Sequence, residues 1–198
     1  VKLEDRDKIK DSVLYISLEP CCHYGKTPPC TSLIISSGIK VVVVACSDPF
    51  EKVNGGGIDI LREHGVQVTL GILEKEAIEL NKRFFTACLK KRPYIILKWA
   101  QSANGKISSV EERRKKISCA ETDKLVHRWR SEEDAIMVGT RTVLEDNPAL
   151  TTRLWPGKNP VRISIDKRNQ FASSLHILDE SAPTIIFGNR EEEKKNQI

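Results

Sequence analysis

No apolar run in the 198-residue chain approaches the ~20 residues that a bilayer-spanning helix needs, so the sequence offers no membrane partner. The first eight residues, Val-Lys-Leu-Glu-Asp-Arg-Asp-Lys, are charged and have no apolar stretch behind them, unlike a secretory leader. Because the chain begins with Val, its first residue need not be the gene's first. A basic cluster of the kind that follows a phosphate backbone is missing too. The net charge is +5, but the basic residues are spread out. The densest run is 113–116, and a solvated loop is its plain reading. Aromatic residues make up only 6%, which leaves few platforms for stacking bases. There is no internal repeat and no low-complexity tract beyond the polar end at 191–198. These absences predict a globular, cytoplasmic protein with no membrane and no nucleic-acid partner. Six cysteines could form three disulfides, but nothing suggests secretion, so metal ligands or free thiols are expected. Cys46, Cys88 and Cys119 read as inert fillers beside apolar segments or late in a helix.

What is present alternates between strand and helix. Residues 13–18 form an apolar run that reads as a buried strand, and 31–37 as a short helix stopped by Gly38. Val41-Val42-Val43-Val44 lies in a strand over 40–45 expected to be covered on both faces. Gly55-Gly56-Gly57 opens a helix through His64. Such a turn can cradle an anion, but without Walker or G-x-G-x-x-G spacing a flexible turn is the better reading. A strand over 66–70 and one long helix over 74–89 follow. Strand–helix alternation predicts a parallel sheet with covering helices. Lys90-Lys91-Arg92-Pro93 breaks the pattern, which sets two domains, 1–90 and 94–198. In the second, the expected elements are a strand over 94–100, a polar loop over 102–116, and a helix over 121–132 with Ser118 and Glu121 as a capping box. A strand over 135–138 and a helix over 140–144 come next. Then follow a half-buried strand over 160–166, with Val161, Ile163 and Ile165 alternating with Arg162 and Ser164, and a strand over 184–187.

The chemistry is concentrated in Leu18-Glu19-Pro20-Cys21-Cys22-His23-Tyr24-Gly25-Lys26-Thr27-Pro28-Pro29-Cys30, just beyond the first strand. Open α/β sheets place their sites at the carboxyl ends of strands. Thiolates hold zinc and an imidazole can complete such a site, while the prolines stiffen the loop. Buried thiols in a Pro-rich loop are the plain alternative. Zinc-dependent base deaminases carry H-x-E followed by P-C-x-x-C. Here eight residues separate Cys21 from Cys30. With that longer spacing, the stretch resembles the zinc motif of the bifunctional riboflavin-biosynthesis deaminase/reductases. The resemblance continues through Asp48-Pro49, Gly55–Gly57 and Leu97–Lys106. It runs on through Trp129-Arg130-Ser131, Asp134-Ala135-Ile136 and Gly139-Thr140 to Asp146-Asn147-Pro148-Ala149-Leu150-Thr151, and covers most of residues 13–166.

The resemblance implies an α/β protein: a cytidine-deaminase-like three-layer domain followed by a dihydrofolate-reductase-like α/β domain, both partial. It implies Zn2+ held by one histidine and two cysteines, matched here by Cys21 and Cys30. His23, Lys26 and Thr27 match the loop that contacts the deaminase substrate. Asp48 matches the acidic residue of a D-P-N turn whose asparagine is replaced by Phe50. In the second domain it implies NADPH at Ala100, Thr142 and Asp146, and substrate at Arg130, Leu150 and Arg153. The implied substrate is a phosphorylated pyrimidine, first deaminated and then reduced at its ribose; homo-oligomerisation is left open. A family tryptophan at the cofactor is replaced by Lys116. The family's H-A-E segment, which carries the third zinc ligand and the proton-shuttling glutamate, lies upstream of the first strand. The twelve residues before Val13 contain no histidine, and Glu19 does not occupy the shuttle's position. The chain is therefore expected to be an internal piece of a longer enzyme, with its catalytic glutamate and the end of its reductase elsewhere. Two other readings remain: an inactive, zinc-stabilised binding module, and a nucleic-acid base deaminase, which the sparse basic and aromatic signals disfavour. His64 and His127 read as solvated or core histidines. Outside their motif, Arg130 and Arg153 would read as surface arginines, and Asp146 as a helix-end residue.

Overall fold

The computed structural model describes residues 6–107 and 116–188. They form two compact units that divide after Leu97. The expected tail over 191–198 and most of the basic run at 113–116 lie outside the described residues.

The first unit runs α1 (Arg6–Ile9), β1 (Val13–Ile16), α2 (Cys30–Ser37), β2 (Val41–Val44), α3 (Gly56–Glu63), β3 (Gln67–Leu70), α4 (Glu74–Leu80) and α5 (Lys82–Lys90). Its three strands pair in parallel in the order β1-β2-β3, with Val13 opposite Val41 and Val41 opposite Gln67. Parallel neighbours need a crossover, and α2 and α3 supply two of them. Val42 and Val44 are fully buried and pack with Ile34 of α2, Leu61 of α3 and Val66. The four-valine strand is not covered equally on both faces, because Val41 and Val43 are only half-buried. Gly38 ends α2 as expected, at φ 79°, with its N–H donated to the Ile35 carbonyl. The helix expected over 74–89 is two helices. Asn81 sits between them at ψ 15°, and its Nδ2 donates to the Ala77 carbonyl at 2.9 Å. Asparagine offers its amide to nearby carbonyls and so weakens a helix interior, a local effect that apolar spacing does not register.

The second unit contains α6 (Ala120–Glu132), β4 (Ala135–Val138), α7 (Thr140–Asp146), β5 (Val161–Asp166), a 3-10 turn at His176–Leu178, and β6 (Thr184–Gly188). Its sheet is also parallel, in the order β4-β5-β6. Val143, Leu150, Phe171 and Ile177 form its core, with Ile136 and Val138 packed against them. The strand expected over 94–100 is absent. Those residues pair with no strand among the described residues, and Leu97 and Trp99 are 79% and 64% exposed. β-Propensity reflects fit to a half-buried pleated surface, which this segment lacks. Ser118 is not the cap of α6. Cys119 takes that position, at φ −82° and ψ 172°, with no side-chain cap bond.

β5 reverses the expected burial. Arg162, Ser164 and Asp166 are the buried positions, while Val161, Ile163 and Ile165 are half-buried. The polar face persists because every member is satisfied. Arg162 donates from Nη1 to the His176 carbonyl at 2.7 Å and to Asp179 Oδ1 at 2.9 Å. Its Nη2 donates to the Asp179 and Ala182 carbonyls, and Nε to Thr184 Oγ1. Ser164 donates to the Val138 carbonyl, and Asp166 accepts the N–H groups of Gln170 and Phe171. Among the described residues no helix is long and apolar enough to cross a membrane.

Candidate active sites, one in each unit

The first site is built on Glu19. Its backbone N–H donates to the Cys46 carbonyl at 3.0 Å, tying the exits of β1 and β2 together. Its carboxylate is 3% exposed and accepts four backbone N–H groups. Asp48 and Gly55 donate to Oε2 at 3.1 and 3.0 Å, and Gly57 and Ile58 to Oε1 at 3.0 and 3.3 Å. Four N–H bonds use the acceptor sites of a carboxylate, so Glu19 is a clamp for the 48–58 loop and not a proton shuttle. The glycine triplet is thus an anion cradle after all, for an internal anion, and not a flexible turn. A Cβ on Gly57 would lie 2.1 Å from the Pro20 carbonyl oxygen, so the approach admits only glycine. Replacing Glu19 with glutamine puts an NH2 group where two N–H donors point. Urea unfolding of Glu19→Gln is expected to show a loss of about 3 kcal/mol. A parent-like midpoint would contradict the clamp.

Around this clamp, Cys30 opens α2 and donates its N–H to Cys21 Sγ at 3.2 Å. The Thr31 N–H donates to the Cys21 carbonyl at 3.3 Å, so the loop closes on itself and brings the two thiols together. The Cys30 thiol is pushed above its ordinary pKa, first by its hydrogen bond with Cys21 and then by burial. Cys22 points elsewhere, donating to the Lys52 carbonyl at 3.4 Å. His23 is half-buried with its ring 5.9 Å from that of Phe50, and its Nδ1 is buried with no hydrogen-bond partner. Asp48 is buried, and Oδ1 accepts the Phe50 N–H at 2.8 Å. Burial raises the Asp48 carboxyl, opposed by that bond; the Glu19 charge adds to the rise and His23 opposes it. Lys26 and Thr27 stand exposed on the loop. The structure therefore joins Cys21 with Cys30 and sets His23 near Asp48, while Lys26 and Thr27 form an outer rim. Two thiolates suit zinc, but a catalytic zinc needs three protein ligands. Among the described residues no group of three His, Cys, Asp or Glu converges to hold a metal, so Cys21 and Cys30 are two ligands of an incomplete set.

The second site lies where the last turns of α6 meet the 150–154 loop. Leu150 is buried at φ 56°, a left-handed turn that redirects the chain. Arg130 Nη1 donates to the Thr151 carbonyl at 3.0 Å, and Arg153 Nη1 donates to Thr151 Oγ1 at 2.8 Å. Both guanidiniums thus converge on one residue, and neither has a carboxylate within ion-pair distance among the described residues. Burial and then the Arg153 charge lower the pKa of Arg130, whose Nε is buried and unpartnered. His127 is buried beneath them. Its Nδ1 accepts the backbone N–H groups of Arg153 at 2.8 Å and Leu154 at 3.3 Å. Of the predicted cofactor contacts, half-buried Thr142 and exposed Asp146 lie four residues apart on α7, a spacing that shares a helix face. Ala100 lies half-buried in the irregular 94–100 stretch. Thr142 and Asp146 would form only one edge of a dinucleotide site. Sequence reasoning ruled out Glu19 as the shuttle and allowed His127 as a core histidine, which it is, but gave neither of them, nor Thr151, a part in a site. The signal for His127 was its place one helical turn before Arg130.

Two family models match the chain. One, described as the RibD C-terminal domain, covers residues 93–198. The other, described as the cytidine and deoxycytidylate deaminase zinc-binding region, covers residues 1–46. The chain is 45% identical to the riboflavin biosynthesis protein RibD of Aquifex aeolicus (strain VF5), over 97% of its own length and 54% of that protein's. Its identity to RibD of Escherichia coli (strain K12) is 32%, over 96% and 55% of the two lengths. Among solved structures it superposes on the diaminohydroxyphosphoribosylaminopyrimidine deaminase/5-amino-6-(5-phosphoribosylamino)uracil reductase of Thermotoga maritima with a TM-score of 0.83. That match has 42% identity and covers 91% of this chain and 51% of that one. On Acinetobacter baumannii RibD the TM-score is 0.85, at 32% identity, covering 93% of this chain and 54% of that one. The chain spans about half the length of the curated relatives it matches. With a deaminase zinc-binding region at its start and the RibD C-terminal domain over its second half, the chain belongs to the RibD family of riboflavin-biosynthesis proteins.

Proposed function

We propose that this chain works as part of a longer cytoplasmic enzyme that deaminates a phosphoribosylated diaminopyrimidine and then reduces its ribose to a ribityl chain. Residues 1–90 are the deaminase part and 94–198 the reductase part. Cys21 and Cys30 supply two zinc ligands, and His23, Lys26, Thr27 and Asp48 receive the pyrimidine ribotide. Bound zinc would supply the hydroxide for deamination, and NADPH, held at Ala100, Thr142 and Asp146, the hydride for reduction. In the second half, Arg130 and Arg153 orient the substrate by its phosphate, and Leu150 contacts it as well. The observation that carries this reading is the pair of guanidiniums converging on Thr151. Arginine's fork of donors matches phosphate geometry.

The full-length gene product, given the diaminopyrimidine ribotide, zinc and NADPH, is expected to release ammonia and then to oxidise NADPH. The alternative is an inactive, zinc-stabilised binding module; a structural zinc is four-coordinate, so it would need two ligands besides Cys21 and Cys30. Bound zinc without turnover in the full-length protein would favour that reading and overturn the enzyme.

A further inference from the structure

We infer that His127 is the positioning residue of the second site: as a neutral imidazole protonated on Nε2, it holds the 153–154 backbone and thereby aims Arg130 and Arg153 at one anion. The inference deepens the phosphate-site reading and rests on it.

The hydrogen bonds fix the tautomer. Nδ1 accepts two backbone N–H groups, from Arg153 and Leu154, so its lone pair is committed and it cannot carry a proton. The proton of a neutral ring is then on Nε2. That atom lies 3.4 Å from Arg130 Nη1, which gives one N–H to the Thr151 carbonyl at 3.0 Å and turns its other toward the ring, where the Nε2–H form offers it no lone pair. Two donors side by side with no acceptor between them suit an anion. The same ring therefore sets the Arg153 backbone through Nδ1 and sits against Arg130 through Nε2. It ties a residue of α6 to one 26 positions later.

The surrounding charges keep the ring neutral. Burial lowers its pKa first, then Arg130 from its own helix and Arg153 from the facing loop. Asp123, one turn back on α6, opposes them, but it is paired with Lys116 at 2.7 Å. Protonation would remove the Nδ1 acceptor and release the loop. Anion affinity is therefore expected to hold at neutral pH and fall as the pH drops through the ring's depressed pKa. Sulfate is the probe for that profile, because it does not titrate there.

The test uses the 198-residue chain, with phosphate and ribose 5-phosphate titrated calorimetrically. His127→Phe keeps the ring volume without an acceptor and is expected to weaken phosphate binding about ten-fold, as loss of an orienting partner does elsewhere. His127→Asn places an amide oxygen near Nδ1 and is expected to bind within about three-fold of the parent, with the acid-side fall in sulfate affinity abolished. Parent-like binding by a folded His127→Phe variant would overturn the inference. Long-range 15N spectra of the imidazole provide a readout independent of any ligand. An Nε2–H tautomer, with the Arg153 and Leu154 amide signals displaced in His127→Phe and retained in His127→Asn, supports it. An Nδ1–H tautomer overturns it. If the parent binds no phosphate but the spectra show the Nε2–H ring on those amides, the phosphate-site reading fails and the positioning role stands.

Discussion

Replacing Arg162 with methionine is expected to destabilise the second unit by about 4 kcal/mol, the cost of breaking a buried charge network from one side. The guanidinium has no solvent exposure, and its acceptors are four carbonyls, two hydroxyls and the Asp179 carboxylate. Methionine fills most of the volume but leaves those acceptors dry, and an orphaned buried acceptor costs its full desolvation penalty. Asp179 itself is 40% exposed, so Asp179→Asn should cost much less than Arg162→Met. Ser181's hydroxyl, then Arg162 and the Ser181 N–H, hold the Asp179 carboxyl well below the usual carboxylate range. Because that shift is downward, its contribution is present above the unfolded pKa of about 3.9 and is lost as the pH falls through the folded one. Denaturant titrations at neutral and acid pH check both statements. Parent-like stability of Arg162→Met would show that the polar face of β5 is dispensable.

Removing Arg130 or Arg153 is expected to have the largest effect on binding. Charge-assisted hydrogen bonds contribute about 2 kcal/mol each, so each alanine variant should bind ribose 5-phosphate about thirty-fold more weakly. Lysine should restore little at either position, since it offers a point charge in place of a planar fork. Arg128 is the control. It lies on the same helix but is engaged with Glu132 at 2.7 Å and with the Trp155 ring, so Arg128→Ala should leave phosphate affinity unchanged. Equal losses in all three variants would mean that only net charge matters and that no built site exists.

The parts legible in the sequence were those written in local pattern. The apolar runs of β1, β2 and β3, the periodic faces of the helices and the stop at Gly38 all follow from neighbours within a few residues. The Cys21–Cys30 loop and the Arg130, Leu150 and Arg153 group were legible through motif resemblance. What was not legible depends on distant partners. The carboxylate of Glu19 meets glycines 36 and 38 positions away, so the triplet looked like a flexible turn. The burial of β5 is set by acceptors on the 176–182 segment, which turn its polar residues inward. Residues 94–100 have strand composition but no pairing partner among the described residues. His127 stood alone in the sequence because its two donors come from a loop 26 and 27 residues on.

The central claim is that the two halves carry two successive activities, and one paired assay on the full-length gene product tests it most directly. Ammonia release from the diaminopyrimidine ribotide, and NADPH oxidation with the deaminated ribotide supplied separately, would be measured for Cys21→Ala and Arg130→Ala. The predicted result is a double dissociation. Cys21→Ala loses ammonia release and keeps NADPH oxidation, while Arg130→Ala does the reverse. Loss of both activities in either folded variant, or of neither in both, would contradict the assignment of the halves.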